Sequence, residues 1–431
     1  MWKTLSDTLD IGAQTISLMG RPATRGTSDT RHLGLLSWYL PPHTNAGVFR
    51  PASWLRHSPA AGWRVTAVGG RVPASEQSLG AELLAQVGAD NRLIEITPSG
   101  REPAWRLTPD IDGGFVNAVD MAQTLVDAVR DDPPVAIVAT GPPFSTFVAG
   151  YLASKRLGRP LVLDYRDEWS ECPFDFVSKG RDNRTWEVRC LQHAAAVIYT
   201  TESLRQHAIA SFPEVGLAHK VTVLPNGTEL DDFAPAESPA ASLVSQPFTL
   251  VHVGALAGHT PPGPLLSALD EGFASGRLAR DALAVQFIGR RSKEAEAALA
   301  AAGCQHGITL IDQVPKREAI ARMQAASALL LIADPRLSRY MPSKLFDYVA
   351  ARRPVLVYGH DGEASRVVEQ LGIGVRCSPE KGSAGLARAL DRLRALPMTQ
   401  HEAAVREWLD GHRRGPLAAR FFSIVETMAG R

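Results

Sequence analysis

The segment Met341-Pro342-Ser343-Lys344-Leu345-Phe346-Asp347-Tyr348 concentrates more chemistry than any other stretch of this 431-residue chain. It reads as a loop and then a helix, with Ser343 as N-cap and a strand opened by Pro354 behind it. A helix N-terminus offers unpaired backbone N–H groups and the positive end of the helix dipole, which suit a phosphate. Lys344 adds a point charge in the first turn. Asp347, one turn on, is the kind of acceptor that a ribose diol needs. The plain alternative is a surface Lys344–Asp347 pair at i,i+3 spacing, worth only a few tenths of a kcal/mol.

Residues of this kind need elements to hold them. Short apolar runs bounded by turn residues recur at His32–Trp38, Arg64–Val68, Val135–Thr140, Pro160–Leu163, Ala195–Tyr199 and Val221–Leu224. Stretches with helical spacing, such as Phe115–Val129 and Phe147–Leu157, lie between them. Buried strands alternating with helices predict βαβ units and parallel sheets covered on both faces. A Pro-, Ala- and Ser-rich stretch at 232–246 suits a linker. A second series follows at Phe248–Val253, Val285–Ile288, Ile308–Ile311, Ala328–Ile332, Pro354–Val357 and Gly374–Arg376. The expected organisation is a polar tail over 1–30, one doubly wound lobe over 31–234, a second over 247–408, and a closing helix over 409–431 that crosses back to the first lobe. The fold class is therefore α/β, two Rossmann-like lobes facing across a cleft. In such sheets ligands bind beyond the carboxyl ends of the strands, where strand order reverses.

Composition excludes more than it selects. The chain has 46 Lys and Arg against 45 Asp and Glu, a formal net charge of +1, and so no general field for a polyanion such as nucleic acid. Four scattered cysteines form no Cys-x-x-Cys pair and imply neither a zinc ribbon nor a disulfide scaffold. A reducing cytoplasm is the simplest home. The first twenty residues lack the pattern of a signal peptide, and no window approaches the ~18 apolar residues of a membrane span. There is no Gly-x-Gly-x-x-Gly, no phosphate-loop Gly-Lys-Ser/Thr ending and no Gly-x-Ser-x-Gly elbow. Asp110-Ile111-Asp112 beside Gly113-Gly114 reads as a solvated turn rather than a metal-binding pair. No His pair has helical metal-ligand spacing, so no metal is expected.

Pro342-Ser-Lys-Leu-Phe-Asp-Tyr-Val-Ala-Ala-Arg-Arg-Pro-Val355 closely resembles the Pro-x-Lys-Leu-Phe-Glu-Tyr-Leu-Ala-x-x-x-Pro-Val segment of family-4-like GT-B glycosyltransferases. Other matches fall in the same order. Leu224–Phe233 resembles the family's Pro-Asn-Gly-Val-Asp segment. Phe248–His259 and Phe287–Arg290 look like the first strands of its nucleotide-binding lobe. Trp38–Gly47 resembles its Pro-Pro and Gly loop, and Asp164–Trp169 matches the Asp-x-Arg-Asp-x-Trp segment of a bacterial surface-polysaccharide subgroup.

The resemblance implies retaining, metal-independent transfer of a sugar from a nucleotide diphosphate sugar to an acceptor hydroxyl, with no further cofactor. The second lobe would hold the donor through Lys344, Asp347, Ser343, Arg290, Gly254 and His259. The first would hold a sugar or lipid-linked acceptor, with Gly47, His43 and Gly141 lining that side. Asp167, with Arg166 beside it, would orient or deprotonate the acceptor hydroxyl; the plainer alternative is a local ion pair between the two. A single loop histidine such as His43 or His259 is ordinarily just exposed. The family's first glutamate falls at Arg339, with Asp334 as a possible replacement. That departure keeps open a degenerate nucleotide-sugar-binding protein, beside a GT-B sugar-nucleotide epimerase. The resemblance also allows peripheral contact at the inner membrane face. Pieces near Trp54–His57 and Arg184–Arg189 mix basic and aromatic groups and could touch lipid, or simply form solvated amphipathic faces.

Overall fold

The computed structural model describes residues 2–20, 31–97, 99–233, 247–303 and 307–430. They divide into two units, Met1–Pro225 with Gly415–Arg431, and Asn226–Arg414. Most of the expected linker, from 234 to 246, lies outside the described residues.

In the first unit, β1 (His32–Ser37), β2 (Arg64–Gly69), β3 (Arg92–Glu95), β4 (Ala136–Gly141), β5 (Leu161–Tyr165), β6 (Ala196–Tyr199) and β7 (Val221–Val223) form one parallel sheet. Their order is β3-β2-β1-β4-β5-β6-β7. Strands β1, β4, β5 and β6 are buried at every position, which is why they read as unbroken apolar runs. Edge strand β3 has exposed ends and no such run, so the sequence does not announce it. Helices Phe115–Ala128 and Ser145–Leu157 pack together, the second ended by Gly158 in the left-handed region. A core cluster on the sheet joins Leu33, Leu35, Val65 and Val138 to Trp54, Trp63, Phe421 and Phe422. Phe421 and Phe422 belong to the last helix, Arg414–Met428, and Phe421 stacks on Trp54 with ring centroids 3.9 Å apart.

Over residues 2–20 the structure corrects the reading of 1–30 as an appended tail; residues 21–30 lie outside the described residues. An 18-residue helix, Trp2–Met19, packs on the two helices just named. It buries Asp7, Ile11 and Leu18. Asp7 and Thr8 accept the N–H groups of Glu102 and Ala104, each at 2.8 Å. With only two large apolar groups on its inward face, the helix leaves little periodic signal.

The second unit repeats the design. Strands β8 (Phe248–Val253), β9 (Leu283–Ile288), β10 (Ile308–Ile311), β11 (Ala328–Ala333), β12 (Val355–Gly359) and β13 (Gly374–Cys377) pair in parallel in the order β10-β9-β8-β11-β12-β13. Apolar clusters cover both of its faces. Residues 226–233, placed in the first lobe by sequence, belong here. Leu230 and Phe233 pack against this unit's core, and Thr228 pairs with the backbone at His412–Arg414. Both sheets therefore reverse strand order once, between β1 and β4 and between β8 and β11. Loops leaving those strands are where ligands of such sheets bind.

No helix among the described residues is long and apolar enough to cross a membrane. Nor do the two pieces offered for lipid present themselves as such. Trp54 and Trp186 are buried, and Arg184 is engaged by Glu171, Glu214 and the Phe212 ring.

Candidate functional site

Each reversal point gathers one cluster of functional side chains. In the first unit, Arg166 leaves the end of β5 and donates only to loop carbonyls. Its guanidinium reaches Gly47 O at 2.6 Å, Gly141 O at 3.1 Å and Pro142 O. It thereby ties the loop after β1 to the loop after β4. A Cβ on Gly47 would run into that guanidinium and sit 2.7 Å from the Tyr39 ring, so glycine serves tight packing there. A side chain on Gly141 would likewise press on Phe144 at 2.7 Å.

Asp167, the next residue, is half-buried, and burial pushes its carboxyl up to about 6; Arg166 opposes the rise and Glu168 adds to it. A carboxyl poised there gains and loses a proton near neutral pH, as a general base must. Glu168 is buried and lies 3.3 Å from His207. Beneath the loop, Glu187 is pushed by burial to about 7 while it accepts from Tyr165 Oη and Ser170 N.

His43, expected to be exposed, is 4 % exposed. Its ring meets Tyr39 edge-on, and Nδ1 is 3.5 Å from Glu76. Asp112, expected in a solvated turn, is also buried. Its carboxylate accepts the N–H groups of Phe144 and Ser178 at 2.8 Å each, bracing the Gly141-Pro142-Pro143 loop from below. Left-handed Gly113 and Gly114 turn the chain sharply enough for that contact.

Sequence reading missed Arg50. Its guanidinium grips buried Asp164 at 2.7–3.0 Å through Nε and Nη2. It also donates to Leu224 O and Pro225 O at 3.0 and 2.9 Å. Thr140 donates to the same carboxylate. The signal was available: one charged residue inside the otherwise uncharged Phe49–Leu55 stretch.

In the second unit, Lys344 sits in the first turn of helix Ser343–Ala350. The N-cap is Pro342, not Ser343, and no side chain caps the helix. Proline at that place has no donor and Ser343 is already helical; Leu345 N–H closes on Pro342 O at 3.0 Å, and no side chain covers the N–H groups before it. Burial lowers the Lys344 ammonium to about 8. Behind it stands His252 of β8, fully buried and missed by sequence reading although an imidazole in an apolar strand is conspicuous. Its Nδ1 is 3.0 Å from Leu330 O, a partner to which it can only donate. Nε2 is left as an acceptor for the ammonium at 3.2 Å. Burial and the Lys344 charge hold this histidine well below the ordinary histidine range, so it stays neutral.

Gly254 makes room for this pair. A Cβ there would stand 2.6 Å from Lys344 Nζ, and its φ of 130° lies where side chains are strained. Half-buried His259 is lowered by burial and by Lys344, Asp334 pulling the other way, which puts all three in one electrostatic neighbourhood. Asp334 itself is held by Arg336, at 2.8 and 2.9 Å. Burial alone would raise that carboxyl, but the Arg336 hydrogen bonds and charge bring it below its ordinary value. Asp347 accepts from Thr228 Oγ1 at 2.6 Å, and Arg290 donates to Gln313 at 2.6 Å.

Residues 47–227 match the family model described as a glycosyl transferase 4-like domain. The chain carries this domain within a GT-B fold. Solved GT-B structures cover nearly all of it at low identity. Sucrose-phosphate synthase from Thermosynechococcus elongatus aligns over 92% of this chain and 98% of its own, at 13% identity and a TM-score of 0.70. Anabaena Alr3699/HepE, solved in complex with UDP and glucose, covers 93% and 98% at 16% identity and 0.60. A putative UDP-N-acetylglucosamine 2-epimerase from Listeria monocytogenes covers 92% and 96% at 11% identity and 0.54. No curated protein matches the chain in sequence. At such identities the likeness is one of fold. Within this GT-B chain, the expected donor residues Gly254 and Lys344 meet beside His252, and His259 lies within electrostatic reach of Lys344. Of the expected acceptor-side residues, Gly47 and Gly141 are joined by Arg166, which was expected to be catalytic with the adjacent Asp167.

Proposed function

We propose that this protein is a glycosyltransferase that moves a sugar, with retention and without a metal, from a nucleotide diphosphate sugar to an acceptor hydroxyl. The observation that carries the reading is Lys344: a partly buried ammonium at the start of an uncapped helix, backed by neutral His252 and given space by Gly254. Such an arrangement suits the charge that develops on a departing diphosphate. Asp347, now held by Thr228, would accept the ribose hydroxyls by exchanging that partner. Ser343, Arg290 and His259 would complete the donor side. In the first unit Asp167 takes or steers the acceptor proton, while Arg166, Gly47, Gly141 and His43 shape the loops around it. As the sugar–phosphate bond breaks and the acceptor oxygen bonds to the same carbon, the hydroxyl proton passes to Asp167 or to the leaving phosphate.

The acceptor would be a sugar or a lipid-linked sugar of polysaccharide or glycoconjugate synthesis, met in the cytoplasm or at the inner membrane face. Incubating the protein with a panel of nucleotide sugars and acceptors tests this; donor hydrolysis or transfer is expected, and failure to bind any nucleoside diphosphate would overturn it. Because Arg339 stands at the carboxylate position and Asp334 is committed to Arg336, tight binding without turnover would instead mark a degenerate binding protein. Interconversion of free nucleotide sugar would mark an epimerase.

A further inference from the structure

The helix Trp2–Met19 turns an apolar stripe outward. Leu5, Leu9, Ile16 and Met19 are 46 %, 64 %, 74 % and 43 % exposed, and Gly12 lies between them with open space at its Cβ position. At about 100° per residue these five positions share one arc of the helix, distinct from the Asp7–Ile11–Leu18 face turned to the core. Residues 100–104 cross the helix from one flank to the other: Lys3 donates to Gly100 O, Asp7 accepts from Glu102, and Thr8 accepts from Ala104. On the helical wheel Thr8 borders the exposed stripe. The chain therefore emerges on that side with Trp105 and Leu107, 68 % and 69 % exposed. The Arg106 and Arg181 guanidinium groups lie over the Trp105 ring, at 5.1 and 5.6 Å.

We infer that this face joins two copies of the chain, helix against antiparallel helix, about a two-fold axis passing close to Gly12. The stripe is palindromic to within one residue, its spacing running 4-3-4-3 along the helix. Reversed about residue 12, Leu5 meets Met19 of the second copy, Leu9 falls within one residue of Ile16, and glycine meets glycine where the backbones come nearest. Self-complementarity of that kind is what an isologous interface requires, and a glycine at the crossing lets two helices approach closely. These six large side chains expose on the order of 600–800 Å² of surface, more than the largest patch of an ordinary monomer and near the ~800 Å² per partner of a stable interface. Met, Trp and Arg are the residue types such interfaces favour. A lipid surface fits less well. Interfacial helices carry basic residues on their polar face, whereas this helix has one lysine against two aspartates, with Glu102 exposed alongside.

Light scattering behind size exclusion, run on the full chain over a wide dilution series, reads the answer without any nucleotide. A concentration-dependent dimer is expected. Leu9→Glu with Ile16→Glu should yield the monomer with unchanged far-UV circular dichroism, since both side chains face solvent in a single copy. Gly12→Cys should cross-link two copies under a mild oxidant far faster than Asp10→Cys on the polar flank. A monomer at every concentration, a dimer that survives the double substitution, or equal cross-linking by the two cysteines would overturn the inference. A monomer captured by phospholipid vesicles would overturn it in favour of lipid.

Discussion

At the scale of single residues, two ionisable groups set the expected pH behaviour. Lys344 titrates near 8 because burial disfavours its charge. A diphosphate needs the ammonium form, so nucleoside diphosphate affinity should fall as pH rises from 7 to 9, by up to about tenfold per unit above the midpoint. Calorimetric titration checks this, and Lys344→Met should remove both the affinity and its slope. His252→Leu takes away the acceptor behind the ammonium and should weaken binding about five- to tenfold, whereas His252→Gln, which can still donate and accept, should recover part of the loss. Asp167 titrates near 6, again through burial. As a base it works ionised, so kcat/KM should rise as pH passes from 5 to 7. Asp167→Asn should erase that limb and lower kcat by about a hundredfold or more. A rise that survives in the variant would remove Asp167 from the role.

At the scale of elements, the first site depends on tethers that cross sequence distance. Arg50, on the helix Phe49–His57, holds the end of β5 through Asp164 and the exit of β7 through two carbonyls. Both partners are buried, 7 % and 0 % exposed at the side chain. Removing one leaves the other charged in a poor solvent, so Asp164→Ala should cost about 3–5 kcal/mol of first-unit stability by denaturant unfolding. A loss under 1 kcal/mol would mean that water reaches the pair. Segment types were legible here wherever burial was two-sided, as in β1, β4 and β5. They were not in β3 and the helix Trp2–Met19, where exposed polar positions break up the apolar pattern. Alternation at an edge and a thin inward stripe both resemble loop.

At the scale of the whole molecule, the chain enters the second unit at Asn226 and returns at Gly415 to finish on the first unit's sheet. Trp54 and Phe421, far apart in sequence, share one stack there. A ligand that binds only the native second unit stabilises it by mass action, about 2.7 kcal/mol at a hundredfold excess over Kd. Nucleoside diphosphates should therefore raise the melting temperature of the intact protein, and Lys344→Met should abolish the shift while leaving the unliganded melting temperature within a few degrees. A panel of bases read this way also names the donor nucleotide.

Sequence alone determined the two series of parallel strands, the motif around Lys344 and the loop at Asp167, because each rests on local pattern: apolar runs, turn residues and short fixed spacings. It could not determine how each side chain is employed. Arg166 reads as a catalytic candidate, and the structure adds that it ties loops together through carbonyls; Ser343 reads as a cap and proves to be helical; Asp112 and His43 read as surface and are buried. Arg50 and His252 carry no local motif, and their partners lie 114 and 92 residues away. Burial and partnership are properties of the packed chain. They decide which charges are held, which are shifted and which are offered to a ligand, and only the tertiary structure brings those residues together.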